Sequence, residues 1–308
     1  GDVITSPEIS QIFGELIGLS LVDYWYQCQK PELPIVTDLG GGNGTMLKDA
    51  LRAINQVDKN LRALIKPIFI ESSLTLTNKQ IKIIPDSFSF KDISEIPKGF
   101  LMLYANEFFD ALPIHQFIKI KNNWHERLID IDSSDNLQFI YNNKPSPYEK
   151  IFPKNLRNNQ LIELSPSAIN ILSSLTKRIL ETGGIVIIID YALSHNDLFG
   201  SLQAIKDHKY IDPLREPGNS DLSSKVNFSI LENVATELNA NVHGPIKQKV
   251  LLQNLGIKLR CQQLIKNNPD KKNAILSDYN RLTSNDDMGD LFKAIAITPK
   301  NSIKPAGF

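Results

Sequence analysis

Cysteine is nearly absent: Cys28 and Cys261 are the only two in 308 residues. Two cysteines cannot build a disulfide framework. With no C-x-x-C pair or His/Cys cluster, the sequence offers no zinc pattern and no other metal site. A reducing compartment is the expectation. Charge of one sign is not in excess, because Lys+Arg and Asp+Glu both number 34. That gives no footprint for nucleic acid. No apolar run approaches the ~20 residues of a membrane span, and the longest, Ile185 to Ile189, ends at Asp190. No signal peptide and no initiator Met open the chain, so the sequence is expected to begin within a domain, with N-terminal residues trimmed. No internal repeat is visible. What remains is ordinary for a soluble globular protein, with 42% hydrophobic and 22% charged residues. The length suffices for one large or two modest domains.

The most informative stretch is Ile35-Val-Thr-Asp-Leu-Gly-Gly-Gly-Asn-Gly-Thr45. An apolar strand ends at Asp38 and turns through Gly40, Gly42 and Gly44 into a helical segment beginning at Met46. Glycine lets the backbone turn tightly and a ligand approach closely, and a new helix offers unpaired N–H groups. A doubly wound α/β sheet builds its nucleotide-type cofactor site this way above its first strand. The spacing narrows the cofactor. Thr45 stands where a dinucleotide G-x-G-x-x-G needs its third glycine, and no Lys follows Gly44 as a phosphate-binding P-loop requires. The remaining G-x-G-x-G turn after an acidic strand end is similar to motif I of class I S-adenosylmethionine (SAM) methyltransferases. A tight turn without ligand is the bland alternative.

A second acid fits the same site. Pro67-Ile-Phe-Ile-Glu71 reads as a short buried strand ending in a carboxylate, and an acid at that place accepts from ribose hydroxyls. An ordinary helix cap is the other reading of Glu71. Near the start of the chain, Thr5-Ser-Pro-Glu8 has the form of a capping box with Pro in the first turn, and predicts one helix through Ile17. Strands are expected at 35–39, 67–71, near 81–84 and at 100–105. Residues 116–141 alternate and break at polar turns, which predicts an inserted antiparallel meander, followed by a loop over 142–159. A helix from Ser165 to Gly183, a buried strand 185–190, largely helical stretches at 222–240 and 246–285, and a last strand 292–298 complete the reading.

Asn106-Glu-Phe-Phe-Asp-Ala-Leu-Pro113 follows directly on the fourth strand. Ligands in open α/β sheets sit beyond the carboxyl ends of strands, so Asn106, Glu107 and Asp110 are expected to face the crevice of the glycine turn. Two carboxylates with an amide suit a cationic or amine substrate, since carboxylates can clamp a guanidinium bidentately. Capping or ion pairing is the structural alternative for both acids, and core packing for Phe108 and Phe109. Asp190 and Tyr191 end a central strand near the same crevice.

In order along the chain stand Gly1-Asp-x-x-Thr-Ser-Pro-Glu-Ile-Ser, the Gly40 to Thr45 turn, Asn106 to Pro113, Gly183-Gly, Ile189-Asp-Tyr191, Gly244-Pro-x-x-Gln248 and Met288-Gly-x-Leu-Phe-Lys293. This set resembles the MidA / NDUFAF7 family (DUF185) of class I SAM-dependent methyltransferases over nearly the whole chain. Gly41 stands where the family usually has Pro, and the double-glutamate hairpin of the main protein-arginine methyltransferases is missing. The resemblance implies a SAM cofactor, a protein substrate methylated on an arginine guanidinium, and a link to respiratory complex I assembly. It also implies that Thr5, Ser6, Pro7 and Glu8 lie near the cofactor's methionine end, which helix capping would explain as well.

The expected fold is therefore α/β: a Rossmann-like class I methyltransferase sheet with an inserted antiparallel β meander and additional helices. Its expected divisions are a SAM-binding core in 1–115, the insertion in 116–160, more core in 161–215, a mostly helical substrate or cap region in 216–285, and a final strand and tail in 286–308. The expected site is Glu107, Asp110 and Asp190 for catalysis, and Thr5, Ser6, Pro7, Glu8, Gly40, Gly42, Gly44, Glu71 and Asn106 for the cofactor. A homodimer and a bacterial cytoplasmic location are expected, with the mitochondrial matrix as the alternative. Two rival readings are an assembly factor with a vestigial SAM site and a nicotinamide-dependent oxidoreductase. The missing third glycine and the lack of a Tyr-x-x-x-Lys dyad count against the second.

Overall fold

A computed structural model describes residues 5–146, 152, 156–194 and 197–308. Its strands are β1 (Pro34–Leu39), β2 (Lys66–Ile70), β3 (Phe88–Phe90), β4 (Phe100–Asn106), β5 (His115–Ile120), β6 (Asn123–Ile131), β7 (Leu137–Tyr141), β8 (Leu161–Leu164), β9 (Gly184–Tyr191), β10 (Gln203–Lys206), β11 (Lys209–Ile211), β12 (Asp221–Ser223), β13 (Asn241–Lys247) and β14 (Phe292–Thr298). Its helices are α1 (Ser6–Ile9), α2 (Gln11–Gln27), α3 (Thr45–Val57), α4 (Lys59–Leu64), α5 (Leu74–Ile83), α6 (Pro166–Thr182), α7 (Phe228–Glu237), α8 (Gln248–Asn254), α9 (Ile257–Asn267), α10 (Lys272–Thr283) and α11 (Met288–Leu291). The chain sorts into two compact units. The larger comprises Ile4–Phe109, Asn170–Ala192 and Phe228–Phe308, and the smaller is mainly Asp110–Ile169 and Leu193–Asn227.

The larger unit holds a seven-stranded sheet in the order β13-β14-β9-β4-β1-β2-β3. Strands β3, β2, β1, β4 and β9 run parallel, and β14 lies antiparallel to both its neighbours. β1 and β4 are buried at every position, which is why they read as mostly apolar runs rather than alternating ones, with Thr37, Asp38 and Asn106 as buried polar exceptions. From β1 the chain works outward through β2 and β3, then returns to β4 on the other side of β1. That reversal is the switch point at which open α/β sheets hold their ligands. On the sheet, α2 and α3 contribute Phe13, Ile17, Leu47 and Ile54 to one core with Met102 and Ile187. Each such burial is worth roughly 1.5–3 kcal/mol relative to exposure. The two helices touch closely at Gly18, where a Cβ would stand 2.6 Å from that of Ala50.

The smaller unit is built on a four-stranded antiparallel sheet, β7-β6-β5-β8, and a three-stranded one, β11-β10-β12. Phe117, Trp124 and Phe152 form its own small core, with Phe152's ring 4.9 Å from Phe117's and 5.2 Å from Trp124's. Residues 193–215, grouped with the core in the sequence reading, fall in this unit.

Several expectations are corrected. Residues 81–84 are not a strand. Ile81 and Ile83 belong to α5 and are exposed, and the third parallel strand is Phe88–Phe90. The N-terminal segment is two helices, not one. Ser10 is extended and its hydroxyl caps α2 by accepting from Ile12 N, so the predicted capping box does not form and Thr5 makes no side-chain cap. The stretch 222–240 opens with part of β12 before α7 begins. β8, β10, β11 and β13 were not foreseen, nor was the break of the helical stretch at 246–285 into α8, α9 and α10. Gly1 to Ile4, and much of the loop expected over 142–159, lie outside the described residues.

Candidate active site

The turn after β1 takes its shape from left-handed backbone at Gly40, Gly42 and Gly44, with φ of 73°, 50° and 81°. Residues with a Cβ rarely tolerate such angles. At Gly40 a Cβ would lie 2.4 Å from the Phe108 ring, which ties this turn to the segment after β4. At Gly42 a Cβ would meet no atom of the described residues within 4 Å. Backbone is therefore approachable there by a group from outside the chain. Gly44 then starts α3.

Beneath the turn, the buried Asp38 accepts a hydrogen bond from the Tyr104 hydroxyl at 3.0 Å. Burial pushes its carboxyl up to about 7; the Tyr104 bond opposes this and the charge of Glu71 adds to it. Glu71 stands just past β2 at the sheet's carboxyl edge. One of its oxygens accepts from Ser73 N at 2.9 Å, and the other lies 3.5 Å from Gln80 Nε2. Gln80, fully buried on α5, also donates to the Gly42 carbonyl at 2.9 Å. Its own Oε1 is buried with no partner among the described residues. Gln80 was missed in the sequence. A glutamine on an amphipathic helix carries no motif, and only the packing of α5 reveals that it joins the glycine turn to Glu71.

Asn106 and Glu107 close β4. Glu107 has a φ of 52°, uncommon for a residue with a side chain. Its Oε1 accepts from Ser6 N at 2.8 Å and from Asn106 Nδ2 at 3.1 Å. Asn106 Oδ1 is buried and unpartnered among the described residues. Behind this turn, Asp190 is completely buried at the end of β9. Its Oδ2 accepts from Phe108 N at 3.2 Å and Phe109 N at 2.8 Å, and its Oδ1 from Tyr191 N at 2.9 Å. Its observed work is to hold the backbone after Glu107. Phe109 is core, 2% exposed, whereas Phe108 is half-buried over Gly40.

Helix α1 joins the two halves of the site. Ser6 reaches Glu107, and Glu8 accepts from Asn43 Nδ2 in the glycine turn at 2.6 Å. Ser6 and Pro7 are buried, and the Thr5 carbonyl accepts from Glu8 N at 2.9 Å. The larger unit thus gathers Thr5, Ser6, Pro7, Glu8, Gly40, Gly42, Gly44, Glu71, Asn106, Glu107 and Asp190. Asp110 opens the smaller unit, where its carbonyl accepts from Ser224 N at 2.9 Å. Burial pushes its carboxyl up to about 6 against backbone hydrogen bonds that lower it.

Residues 16–246 match the model of a family described as "Putative S-adenosyl-L-methionine-dependent methyltransferase". The chain belongs to that family. Its cofactor is SAM, and it is a methyltransferase of the MidA / NDUFAF7 group. The Xenopus laevis protein named protein arginine methyltransferase NDUFAF7, mitochondrial, is 33% identical over 99% of this chain and 76% of its own length. The Homo sapiens protein of that name is 34% identical over 99% and 75%. A COG1565 superfamily member from Burkholderia thailandensis, solved with S-adenosyl-homocysteine, superposes with a TM-score of 0.84 at 18% identity. It covers all of this methyltransferase and 81% of that chain, and supports the Rossmann-like class I fold. The relatives' names are mitochondrial, in line with the matrix alternative, and they give no support to a bacterial cytoplasmic location.

The residues present fit SAM. A backbone approach stands open at Gly42, the Glu71 carboxylate follows directly on β2, and a buried amide oxygen of Asn106 lacks a partner among the described residues.

Proposed function

We propose that this methyltransferase transfers a methyl group to a side-chain nitrogen of a protein, an arginine guanidinium in the first place, with Glu107 at the centre of the site. The observation that carries this is the junction of Glu107 with Ser6 on one side and Asn106 on the other, beside the glycine turn at the sheet's switch point. Gly40, Gly42 and Gly44 would let the cofactor approach the backbone, Glu71 would hold its ribose, and Asn106 with Thr5 and the α1 residues Ser6 to Glu8 would hold its methionine end. Bound SAM supplies an already activated methyl, so the protein has chiefly to position the acceptor and keep water out. The Glu107 carboxylate is the acceptor clamp, because a planar guanidinium pairs well with a carboxylate and stays charged unless something takes its proton. Asp190 acts through the backbone it fixes, as a positioning residue. Asp110, with its raised proton affinity, is the second carboxyl of the proposal and would accept the proton that a methylated nitrogen releases.

Arginine as the acceptor is supported by the names of the relatives. The family resemblance extends the proposal to a subunit of respiratory complex I, and the mitochondrial names favour a matrix location. Calorimetric titration with SAM, with NADH as control, tests the cofactor site. Micromolar SAM binding without an NADH response supports it. A labelled-methyl assay on mitochondrial protein, followed by mass spectrometry, tests the acceptor. Methyl groups on lysine, or transfer to no protein at all, would overturn the arginine reading, and the second result would favour an assembly factor that keeps SAM as a ligand.

A further inference from the structure

The sheet of the smaller unit carries a polar row across all four strands. Register pairs Tyr141 with Arg127, Arg127 with Gln116, and Gln116 with Glu163. On this face lies a cavity of about 470 Å³ lined by Gln116, Arg127, Phe139, Phe199, Leu202 and Asp212, among others. The Arg127 guanidinium sits over the Phe139 ring, its carbon 3.4 Å from the centroid. Its Nε is buried and has no hydrogen-bond partner among the described residues. The acid in the same row is already occupied: Glu163 Oε1 accepts from Gln116 Nε2 at 2.7 Å, Ser201 N at 2.9 Å and Leu202 N at 3.2 Å. Asp212 is engaged in capping Leu214 N at 2.8 Å. Burial lowers the proton affinity of Arg127, with the charges of Tyr141 and Glu163 opposing. A desolvated guanidinium with an unmade hydrogen bond is costly, and arginine keeps its charge in proteins.

We propose that this cavity receives a carboxylate side chain borne on an apolar segment of a protein partner, with Arg127 as the anchor. The planar guanidinium, stacked on Phe139, presents its donors in the fork that fits a carboxylate. The nearby carboxyls of Asp212 and Glu163 leave room for one negative charge rather than the two of a phosphate monoester. The surroundings match an apolar segment, since Phe199 is 71% exposed and Ile129 and Ile131, which alternate onto the Arg127 face, are 55% and 60% exposed. Exposed apolar area of this kind marks interaction surfaces. The inference does not depend on the methylation reading, because every group it uses lies in the smaller unit.

The test uses the full chain and two probes, the capped peptides acetyl-Leu-Glu-Phe-amide and acetyl-Leu-Gln-Phe-amide. Binding is followed by calorimetry and by the Arg127 Nε–H resonance. The Glu peptide is expected to bind saturably, to shift that resonance, and to weaken as salt rises. The Gln peptide should bind about tenfold or more weakly, having lost the charge-assisted pair. Arg127→Gln should abolish binding, and Arg127→Lys should weaken it about tenfold by losing the fork and the stacking. Equal binding of both peptides, no saturable binding of the Glu peptide, or full binding by Arg127→Gln overturns the proposal. So does inorganic phosphate shifting the resonance at lower concentration than the Glu peptide. The comparison of the two peptides is made on the unaltered protein, so it stands even if a variant folds poorly. SAM affinity, measured alongside, should not change in the Arg127 variants, which separates this result from the cofactor assignment.

Discussion

Ser6 and Glu107 are joined by a hydrogen bond of 2.8 Å, from the backbone N–H of one to the carboxylate of the other, across 101 residues of chain. The bond fixes one oxygen of Glu107 at a place where its backbone is already in an unusual conformation. A glutamine keeps an acceptor for Ser6 but loses the negative charge. Glu107→Gln is therefore expected to leave folding and SAM affinity unchanged and to reduce methyl transfer by about 100-fold or more. Labelled-methyl transfer beside calorimetry on one preparation checks this. Full activity would remove Glu107 from the mechanism.

The two glycines of the turn should respond differently. Gly40→Ala puts a Cβ into the Phe108 ring as well as into a left-handed backbone. A loss of about 2 kcal/mol or more of stability is expected, read from urea unfolding. At Gly42 the first added atom, a Cβ, meets no atom of the described residues within 4 Å, so the stability cost of Gly42→Val is expected to come chiefly from the backbone angle, roughly 1–2 kcal/mol. Its expected mark is a fall in SAM affinity of at least about tenfold, or ~1.4 kcal/mol. Unchanged affinity would place the cofactor elsewhere.

Gln80 offers a test that no motif suggested. Gln80→Leu removes the donor to the Gly42 carbonyl and is expected to cost about 1–3 kcal/mol in stability. Gln80→Glu keeps the length but turns an acceptor toward Gly42 O and a like charge toward Glu71. SAM affinity should drop more in Gln80→Glu than in Gln80→Leu, which calorimetry resolves. The reverse order would mean that Gln80 only fills space.

Asp38 should contribute to the pH dependence of the ligand-free protein, alongside Asp110. Its folded value is about 7, against ~3.9 in an unfolded chain. Between these values the folded protein keeps a proton that the unfolded chain has lost. Stability therefore falls as pH rises from about 4 to about 7, and this contribution is constant above. Asp38→Asn cannot ionise and still offers an oxygen to Tyr104, so the slope should flatten. Urea midpoints collected across that range check it, and an unaltered slope would assign the dependence to another group.

Much of the candidate site's geometry was legible in the sequence because its parts are local. The glycine turn, the acid after β2 and the Asn106 to Asp110 segment each follow an apolar strand, and strand ends are where such sheets bind. What escaped was tertiary. Apolar residues at 81–84 suit a strand as well as a helix end, and only the exposure of Ile81 and Ile83 separates the two. The separation of α1 from α2 depends on the backbone of Ser10, which the Thr-x-x-Glu pattern masks. Asp190 looked like a crevice acid, because its position at a strand end is visible in sequence and its burial is not. The unions of Gln80 with Gly42 and of Glu8 with Asn43 span 38 and 35 residues, beyond any local pattern.

Strand β14 lies between β9 and β13 and bonds to both. During synthesis, Ile185 to Ile189 leave the ribosome long before Phe292 to Thr298, the strand that covers their open edge. Until then the growing chain carries an apolar strand with one unpaired side, the kind of edge that recruits other chains. Completion of the larger unit is therefore a late event in translation. A ribosome stalled before residue 292 would hold a chain whose glycine turn has already been synthesised and whose sheet still lacks β14.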